Sequence, residues 1–413
     1  MERTILHVDF NYFYANVECL YHPEIRDKPV VVGGDESQRH GIVLTKNPIA
    51  KRFGIQTGES LYSAKQKCPR LVIVPARYDL YIHFSKLAHE IYQRYTNCIE
   101  PFGLDECWMD ITGNYEINDC EAFANELRKT IRNELGITAS IGISWNKVFA
   151  KLGSDFRKPD ATTMINRQNY KERFWPLPAS DLLYVGPATT RKLHNYGVNT
   201  IGDLATAPHD LLTRRFGKWG AYLWAFANGM DTSPVSMFGH QSIIKSIGNS
   251  MTTYRDVESS EEAKQVFWAL AESVCRRLRE NGFRCRTVEI TVRDNLLNWF
   301  EAQTTLPIAA CTSKELVDAA MRLFQTRYRF TRPVRALGVR ACNLVGMDNG
   351  LQMSFYGNSA RQAKWENLES CVDGLRERFG HHVVKRAAIL NADITGEADP
   401  LTHEVHPVGY FGR

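Results

Sequence analysis

Set aside residues 11–77, and the chain up to Trp145 reads in the order β-α-β-β-α-β, the split βαβ arrangement, which constrains its fold more than any other feature. Thr4 to Asp9 alternates like a strand. Asp79 to Asn97 carries Leu80, Phe84, Leu87, Ile91 and Tyr95 at three- and four-residue spacing, the stripe of an amphipathic helix. Ile99 to Leu104 and Glu106 to Ile111 read as a hairpin. Phe123, Leu127, Ile131 and Leu135 mark a second helix, and Thr138 to Trp145 a last strand. In this order Asp9 ends the first strand and Asp105-Glu106 sit at the central hairpin. Three carboxylates far apart in the chain thereby become neighbours in space.

Carboxylates gathered in this way repel one another unless a cation lies between them. Oxygen donors of this kind suit Mg²⁺, which takes one or two protein carboxylates plus substrate phosphates. Two such ions align an in-line attack on a phosphoryl group, so the pattern points to nucleotidyl transfer. Asp110 reads as a hairpin-end carboxylate and not as a fourth ligand. The segment Gly142-Ile143-Ser144-Trp145-Asn146-Lys147 follows on the last strand.

A chain of 413 residues divides into two to four domains, and 44% hydrophobic content is ample for packed cores. No apolar run is long enough to span a bilayer. The start, Met1-Glu2-Arg3-Thr4, runs straight into a strand without the pattern of a secretory leader. Ten scattered cysteines with no C-x-x-C pair argue against zinc ribbons and a disulfide framework, and for a reducing, cytoplasmic compartment. The net charge of +5 is unevenly spread. Arg276, Arg277, Arg279, Arg284, Arg286 and Arg293 form one arginine cluster, and Arg322, Arg327, Arg329, Arg332, Arg335 and Arg340 another. A basic C-terminal half beside an acidic site suggests a polyanion held at a metal centre.

Residues 167–233 change character. Tyr184-Val185-Gly186-Pro187-Ala188-Thr189-Thr190-Arg191-Lys192-Leu193 is a glycine turn feeding a helix, with a weaker echo at Phe216-Gly217-Lys218-Trp219-Gly220. This resembles a helix-hairpin-helix, whose amides hold a DNA phosphate without reading sequence. Residues 234–244 read as a linker. Residues 245–350 read as an α+β unit, with helices near 260–280 and 313–328 and strands near 286–293, 299–306 and 334–344. A last helix is expected from Ala360 to Gly380, and no repeat or low-complexity tract stands out.

The order His7-Val8-Asp9-Phe10-Asn11-Tyr12-Phe13-Tyr14-Ala15, Leu104-Asp105-Glu106, Gly142 to Lys151 and Lys158-Pro159 resembles the Y-family translesion DNA polymerases of the DinB type. The resemblance covers residues 1 to about 350. It implies an α+β right-hand polymerase. Residues 1–10 and 78–166 would form the ferredoxin-like palm, 11–77 small fingers, and 167–233 a helix-hairpin-helix thumb. After the linker, 245–350 would be the little finger and 351–413 a C-terminal extension.

The resemblance assigns roles as well. Asp9 and Asp105 would bridge two Mg²⁺ ions, Glu106 would complete the catalytic-metal site, and the Phe10 carbonyl would touch the nucleotide-bound ion. Tyr14 matches the steric gate that excludes a 2′-OH, and Thr45, Lys51 and Lys158 would hold the triphosphate. Pro48 stands where a tyrosine is often found and Lys51 where arginine is usual, giving a point charge in place of a bidentate fork. Ile42 and Leu44 replace small residues above the templating base. This bulkier roof is expected to narrow the range of adducts bypassed; unchanged bypass of a bulky guanine adduct by the double alanine variant would contradict that.

Gly186, Thr189, Lys245, Arg327, Arg329, Arg332, Arg335 and Arg340 would contact primer-template DNA, with little sequence preference and strong salt dependence. Gln352, Met353, Phe355 and Tyr356 are similar to the peptide by which bacterial polymerases dock on the sliding clamp. The implied enzyme is a monomer that uses deoxynucleoside triphosphates, with no proofreading exonuclease, low processivity and no membrane contact. Two rivals use the same residues. A palm-type nucleotidyl cyclase shares the core but needs no DNA grip; a non-catalytic DNA-binding repair factor would have no reason to keep a repulsive carboxylate trio.

Overall fold

The structure is a computed structural model that describes residues 2–34, 41–114, 119–240, 243–347, 359–389 and 394. Gln352, Met353, Phe355 and Tyr356 lie outside the described residues. The fold is multidomain α+β, in two compact units, one built on residues 2–34 and 42–240 and the other on residues 243–389.

The described strands of the first unit are β1 (Ile5–Phe10), β2 (Val30–Gly33), β3 (Val43–Lys46), β4 (Val72–Pro75), β5 (Ile99–Pro101), β6 (Glu106–Asp110), β7 (Ala139–Ser144) and β8 (Thr162–Met164). Its main sheet has the order β5-β6-β1-β7-β8, so the first strand in sequence lies at the centre. β1 is antiparallel to both β6 and β7, and every one of its residues is buried. The helices Tyr78–Gln93 and Cys120–Leu135 bury Phe84, Ala88, Ile91, Leu127 and Ile131 against this sheet. The β-α-β-β-α-β order is therefore present, with β8 added in parallel beside β7.

The first of these helices stops at Gln93, short of the expected Asn97. Thr96 ends it: its hydroxyl donates to the Asp110 carbonyl (2.8 Å) and accepts from the Cys98 amide (3.1 Å), turning the chain into β5. Residues 11–77 carry a small separate sheet, β3-β2-β4, with its own core of Val31, Val43, Ala50, Ile55 and Leu61. Pro48 is the first residue of the Pro48–Arg52 helix, and Asn47 caps it by accepting from Ala50 N (2.9 Å). Proline is favoured at a first helical position, where its missing N–H costs nothing.

The ordered elements between residues 170 and 227 of this unit are helices, including Pro187–His194, Ile201–Thr206, His209–Phe216 and Lys218–Ala227. Gly186 is the N-cap of the first of these, and Thr200 and Asp203 form a capping box on the second. The expected linker is not free along its first half. The Ser236 amide donates to Glu100 Oε2 (2.9 Å) and the Phe238 amide to the Asn97 carbonyl (2.9 Å), while Val235 is buried.

The second unit contains β9 (Ser246–Val257), β10 (Phe283–Asp294), β11 (Trp299–Ala310) and β12 (Val334–Gly346), an antiparallel sheet of order β11-β10-β12-β9. Helices Ser260–Glu280 and Ser313–Leu323 pack on one face through Phe267, Leu270, Val274, Leu316 and Val317. The other face carries Glu289, Arg293 and Arg340.

The Ser359–Phe379 helix, expected from Ala360 to Gly380, is bound to this unit by ion pairs. Arg279 reaches Glu369 (2.7 Å) and Asp373 (2.7 Å), Arg284 reaches Glu366 (2.8 Å), and Arg376 meets Glu272 (3.0 Å). The first arginine cluster thus departs from expectation. Arg279 and Arg284 face internal carboxylates in place of an external polyanion, because helix and strand periodicity turns them inward.

Candidate active site

β-Pleating places His7 and Asp9 on one side of β1 and Val8 on the other. Asp9 is the direct cross-strand partner of Glu106 on β6, and His7 that of Trp108. Asp105 lies one residue before β6, and its carbonyl accepts from the Phe10 amide (3.0 Å), which ties the hairpin loop to the end of β1. The three carboxylates named from the sequence therefore converge on one end of the sheet. Among the described residues, ligand atoms of His7, Asp9 and Glu106 lie within 4.8 Å of one another; Asp105 stands beside that group and not within it. Asp110 is at the far end of β6, opposite Ile5, where it accepts from the Thr112 amide (2.9 Å).

Two lysines enter the cluster from the segment after β7. Lys151 Nζ is 2.6 Å from Glu106 Oε2 and 3.7 Å from Asp9 Oδ2. Lys158 Nζ bridges Asp9 Oδ2 (2.6 Å) and Asp155 Oδ1 (2.7 Å). Lys151 gets there because Gly142 has no side chain. A Cβ at position 142 would lie 1.9 Å from the Ala150 carbonyl oxygen and 2.4 Å from Ser154 N, so the Lys147–Phe156 helix rests directly on β7. Neither His7 nor Lys151 was assigned to the site from sequence. The signal for His7 was its two-residue offset from Asp9 on one strand face; for Lys151 it was one helical turn after Lys147.

The electrostatics follow from burial of like charges. Burial, and then the Glu106 charge, push the Asp9 carboxyl upward against the pull of Lys158 and Lys151. Burial and Glu106 likewise raise Asp105 to about 6. Burial opposes the Glu106 charge too, but the His7 hydrogen bond and Lys151 outweigh it and hold that carboxyl well below the usual range. Burial lowers His7 to about 4, so its ring is neutral. Its Nδ1 faces Ser154 Oγ at 2.8 Å and its Nε2 faces Glu106 Oε2 at 3.4 Å. This is an oxygen-rich cluster with Lys151 and Lys158 set against its carboxylates, and its donors suit a hard divalent cation.

Tyr14 is in the first turn of the Phe13–Tyr21 helix, which starts directly after β1 because Tyr12 adopts a left-handed conformation (φ 52°). Its hydroxyl is pushed upward by burial and then by the Asp105 charge. Thr45 lies on β3 and Lys51 on the short helix that follows, where Lys51 is exposed. Lys46 donates to Thr57 Oγ1 (3.1 Å). Lys158, assigned to the triphosphate, is here paired with Asp9 and Asp155.

The residues assigned to DNA are dispersed. Gly186 is exposed at a helix start with Thr189 in its first turn, and Lys245 is exposed just before β9. In the second unit, Arg327 and Arg329 are exposed after the Ser313–Leu323 helix and Arg335 is half-buried. Arg332 is 3.5 Å from Asp294 and Arg340 3.1 Å from Glu289.

Comparison with known proteins places these features. Residues 8–155 match the family described as impB/mucB/samB, residues 244–355 match its C-terminal domain, and residues 180–231 match the thumb domain described for DNA polymerase-iota. A DNA polymerase IV of Acetivibrio thermocellus is 49% identical over 391 residues, covering 94% of this chain and 98% of that protein. A DNA polymerase IV 2 of Bacillus subtilis is 36% identical over 399 residues, 95% of each chain. The solved structure of a Y-family DNA polymerase chimera superposes with a TM-score of 0.71 at 22% identity, covering 83% of this chain and 99% of that one.

Proposed function

This chain belongs to the Y family of DNA polymerases, and we propose that Asp9, Asp105 and Glu106 are the carboxylates at which it extends a primer. It is a DNA-templated DNA polymerase of the translesion class, acting on template DNA and deoxynucleoside triphosphates with divalent metal ions. The observation that carries the site assignment is the cross-strand pairing of Asp9 with Glu106, with Asp105 tied to the end of the same strand.

The ions we infer are two Mg²⁺, held by Asp9, Asp105, Glu106 and the Phe10 carbonyl. When bound, they lower the pKa of the primer 3′-OH and neutralise the triphosphate and departing pyrophosphate. The protein's own groups do the rest. Asp9 and Glu106 define where positive charge collects. Lys151 and Lys158 keep the buried carboxylates compensated, and Lys158 is free to exchange Asp9 for a triphosphate because its side chain is 30% exposed. Thr45 and Lys51 complete the triphosphate contacts. Tyr14 closes the space beneath the sugar.

We read residues 1–10 and 78–166 as palm, 11–77 as fingers, 167–233 as thumb, 234–244 as linker, 245–350 as little finger and 351–413 as the extension. Gly186, Thr189, Lys245, Arg327, Arg329, Arg332, Arg335 and Arg340 are proposed phosphate contacts. The peptide containing Gln352, Met353, Phe355 and Tyr356 is proposed to dock on a sliding clamp. No described helix is long and apolar enough to cross a membrane. We propose a cytoplasmic monomer without proofreading. Insertion of single deoxynucleotides by wild type and Asp9→Asn tests the site: loss of about a thousandfold in the variant is expected for a group that compensates transition-state charge, and unchanged insertion overturns the assignment.

A further inference from the structure

The Tyr14 ring lies almost flat on that of Tyr81, with centroids 4.2 Å apart and planes 13° apart. Tyr81 is fully buried, and its hydroxyl donates to Glu18 Oε1 at 2.6 Å. Glu18 is itself fully buried, with Arg77 forked across it: Nε to Oε1 at 3.1 Å and Nη2 to Oε2 at 2.5 Å. Tyr14 and Glu18 are four residues apart on one helix, and Arg77 and Tyr81 are four apart at the start of another. Side chains at that spacing share a helix face. The four residues thus form a square that joins the two helices behind the ring.

A buried carboxylate is costly unless paired and hydrogen-bonded. Here both oxygens are satisfied, and the result is a stiff support under one ring face. A steric gate rejects a 2′-OH only as firmly as its wall resists displacement, because a ring that recoils by a fraction of an ångström admits the extra oxygen. Stacking alone does not fix a ring laterally, whereas a charge-assisted hydrogen bond to its stacked neighbour does.

We propose that Glu18, Arg77 and Tyr81 are positioning residues that brace Tyr14 and set the strength of sugar discrimination. This rests on the reading of Tyr14 as the gate. None of the three touches substrate in this account; they act through the Tyr14 ring.

The test compares kcat/KM for a deoxynucleotide and the matching ribonucleotide in wild type, Tyr81→Phe, Glu18→Gln, Tyr14→Ala and the double variant Tyr14→Ala/Tyr81→Phe, with melting curves alongside. Tyr81→Phe keeps the stacked ring and removes only the hydroxyl. The deoxy-over-ribo ratio is expected to fall about tenfold, through a gain in the ribonucleotide arm, which corresponds to losing one charge-assisted hydrogen bond. Glu18→Gln should move the ratio the same way, and where its melting shows misfolding, Arg77→Lys replaces it, since the Arg77 side chain is 39% exposed. The double variant should discriminate no worse than Tyr14→Ala. A wild-type ratio in Tyr81→Phe, with discrimination lost in Tyr14→Ala, overturns the bracing and leaves the gate. A wild-type ratio in Tyr14→Ala overturns the gate and the bracing with it. A further loss in the double variant overturns the route through Tyr14.

Discussion

Asp9 and Glu106 face each other across adjacent antiparallel strands, and the same lysine, Lys151, contacts both. Both carboxylates draw on the Lys151 ammonium, with Lys158 also on Asp9, and under the proposed site assignment a metal ion would compete with Lys151 for them. Removing the ammonium should make the fold depend more on metal. Lys151→Met is expected to melt lower than wild type without Mg²⁺ and to gain more from its addition. Each tenfold excess of Mg²⁺ over its dissociation constant contributes about 1.4 kcal/mol. Melting temperature against Mg²⁺ concentration checks this; equal shifts in the two proteins would separate Lys151 from the metal site.

The contact between β7 and the helix carrying Lys151 has no room for a methyl group. Gly142→Ala drives a Cβ into the Ala150 carbonyl and the Ser154 amide, both backbone atoms that cannot rotate away. A loss of about 3 kcal/mol or more is expected, together with displacement of Lys151. Urea denaturation measures the first, and a transition within 0.5 kcal/mol of wild type (about the scatter of neutral surface changes) would contradict it.

His89 gives the fold a pH dependence of definite sign. It is buried, its Nδ1 donates to the Ser85 carbonyl (2.7 Å), and its ring lies 5.4 Å from that of Phe238. Burial lowers its pKa below the ordinary imidazole value of 6.5. Above that pH both folded and unfolded chains hold it neutral, and it contributes no pH dependence. As pH falls below it, the unfolded chain takes up a proton that the folded chain does not, and stability is lost by up to about 1.4 kcal/mol per pH unit. Urea midpoints from pH 7.5 downward should fall less steeply in His89→Gln than in wild type; parallel curves would contradict the assignment.

Arginines of the second unit should separate into two kinds. Arg340 is half exposed on the open sheet face, so Arg340→Ala should weaken DNA binding and lower the salt slope of log K by about 1. Arg279 has a side chain only 9% exposed and is held between Glu369 and Asp373, so Arg279→Ala should cost about 3–5 kcal/mol of stability and leave the slope unchanged. Salt titrations of binding, read beside melting curves, distinguish the two.

Residue periodicity carried most of the palm. The two-residue repeat of β1 and the spacing of Leu80, Phe84, Leu87 and Ile91 were enough to bring Asp9 beside Glu106, because a strand's register leaves few alternatives once one face is buried. What the sequence hid were partners chosen by tertiary packing. Nothing local says that Lys158 pairs with Asp9 across 149 residues of chain, or that Glu369 closes on Arg279 at a separation of 90. Charge runs misled for the same reason. Arg279 and Arg284 look like surface charge in a window of sequence, and only the docked Ser359–Phe379 helix shows that their partners are internal. The Gly142 contact was legible as a motif but not as a steric requirement, since that depends on which helix lies above it.

The most direct test of the account is primer extension on an undamaged template with Mg²⁺ and all four deoxynucleotides, wild type against Asp105→Ala. Extension by the wild type and its loss in the variant, with primer-template binding retained in both, is the predicted result. Tight binding of primer-template by a wild type that adds no nucleotide, or equal extension by the two proteins, would contradict it.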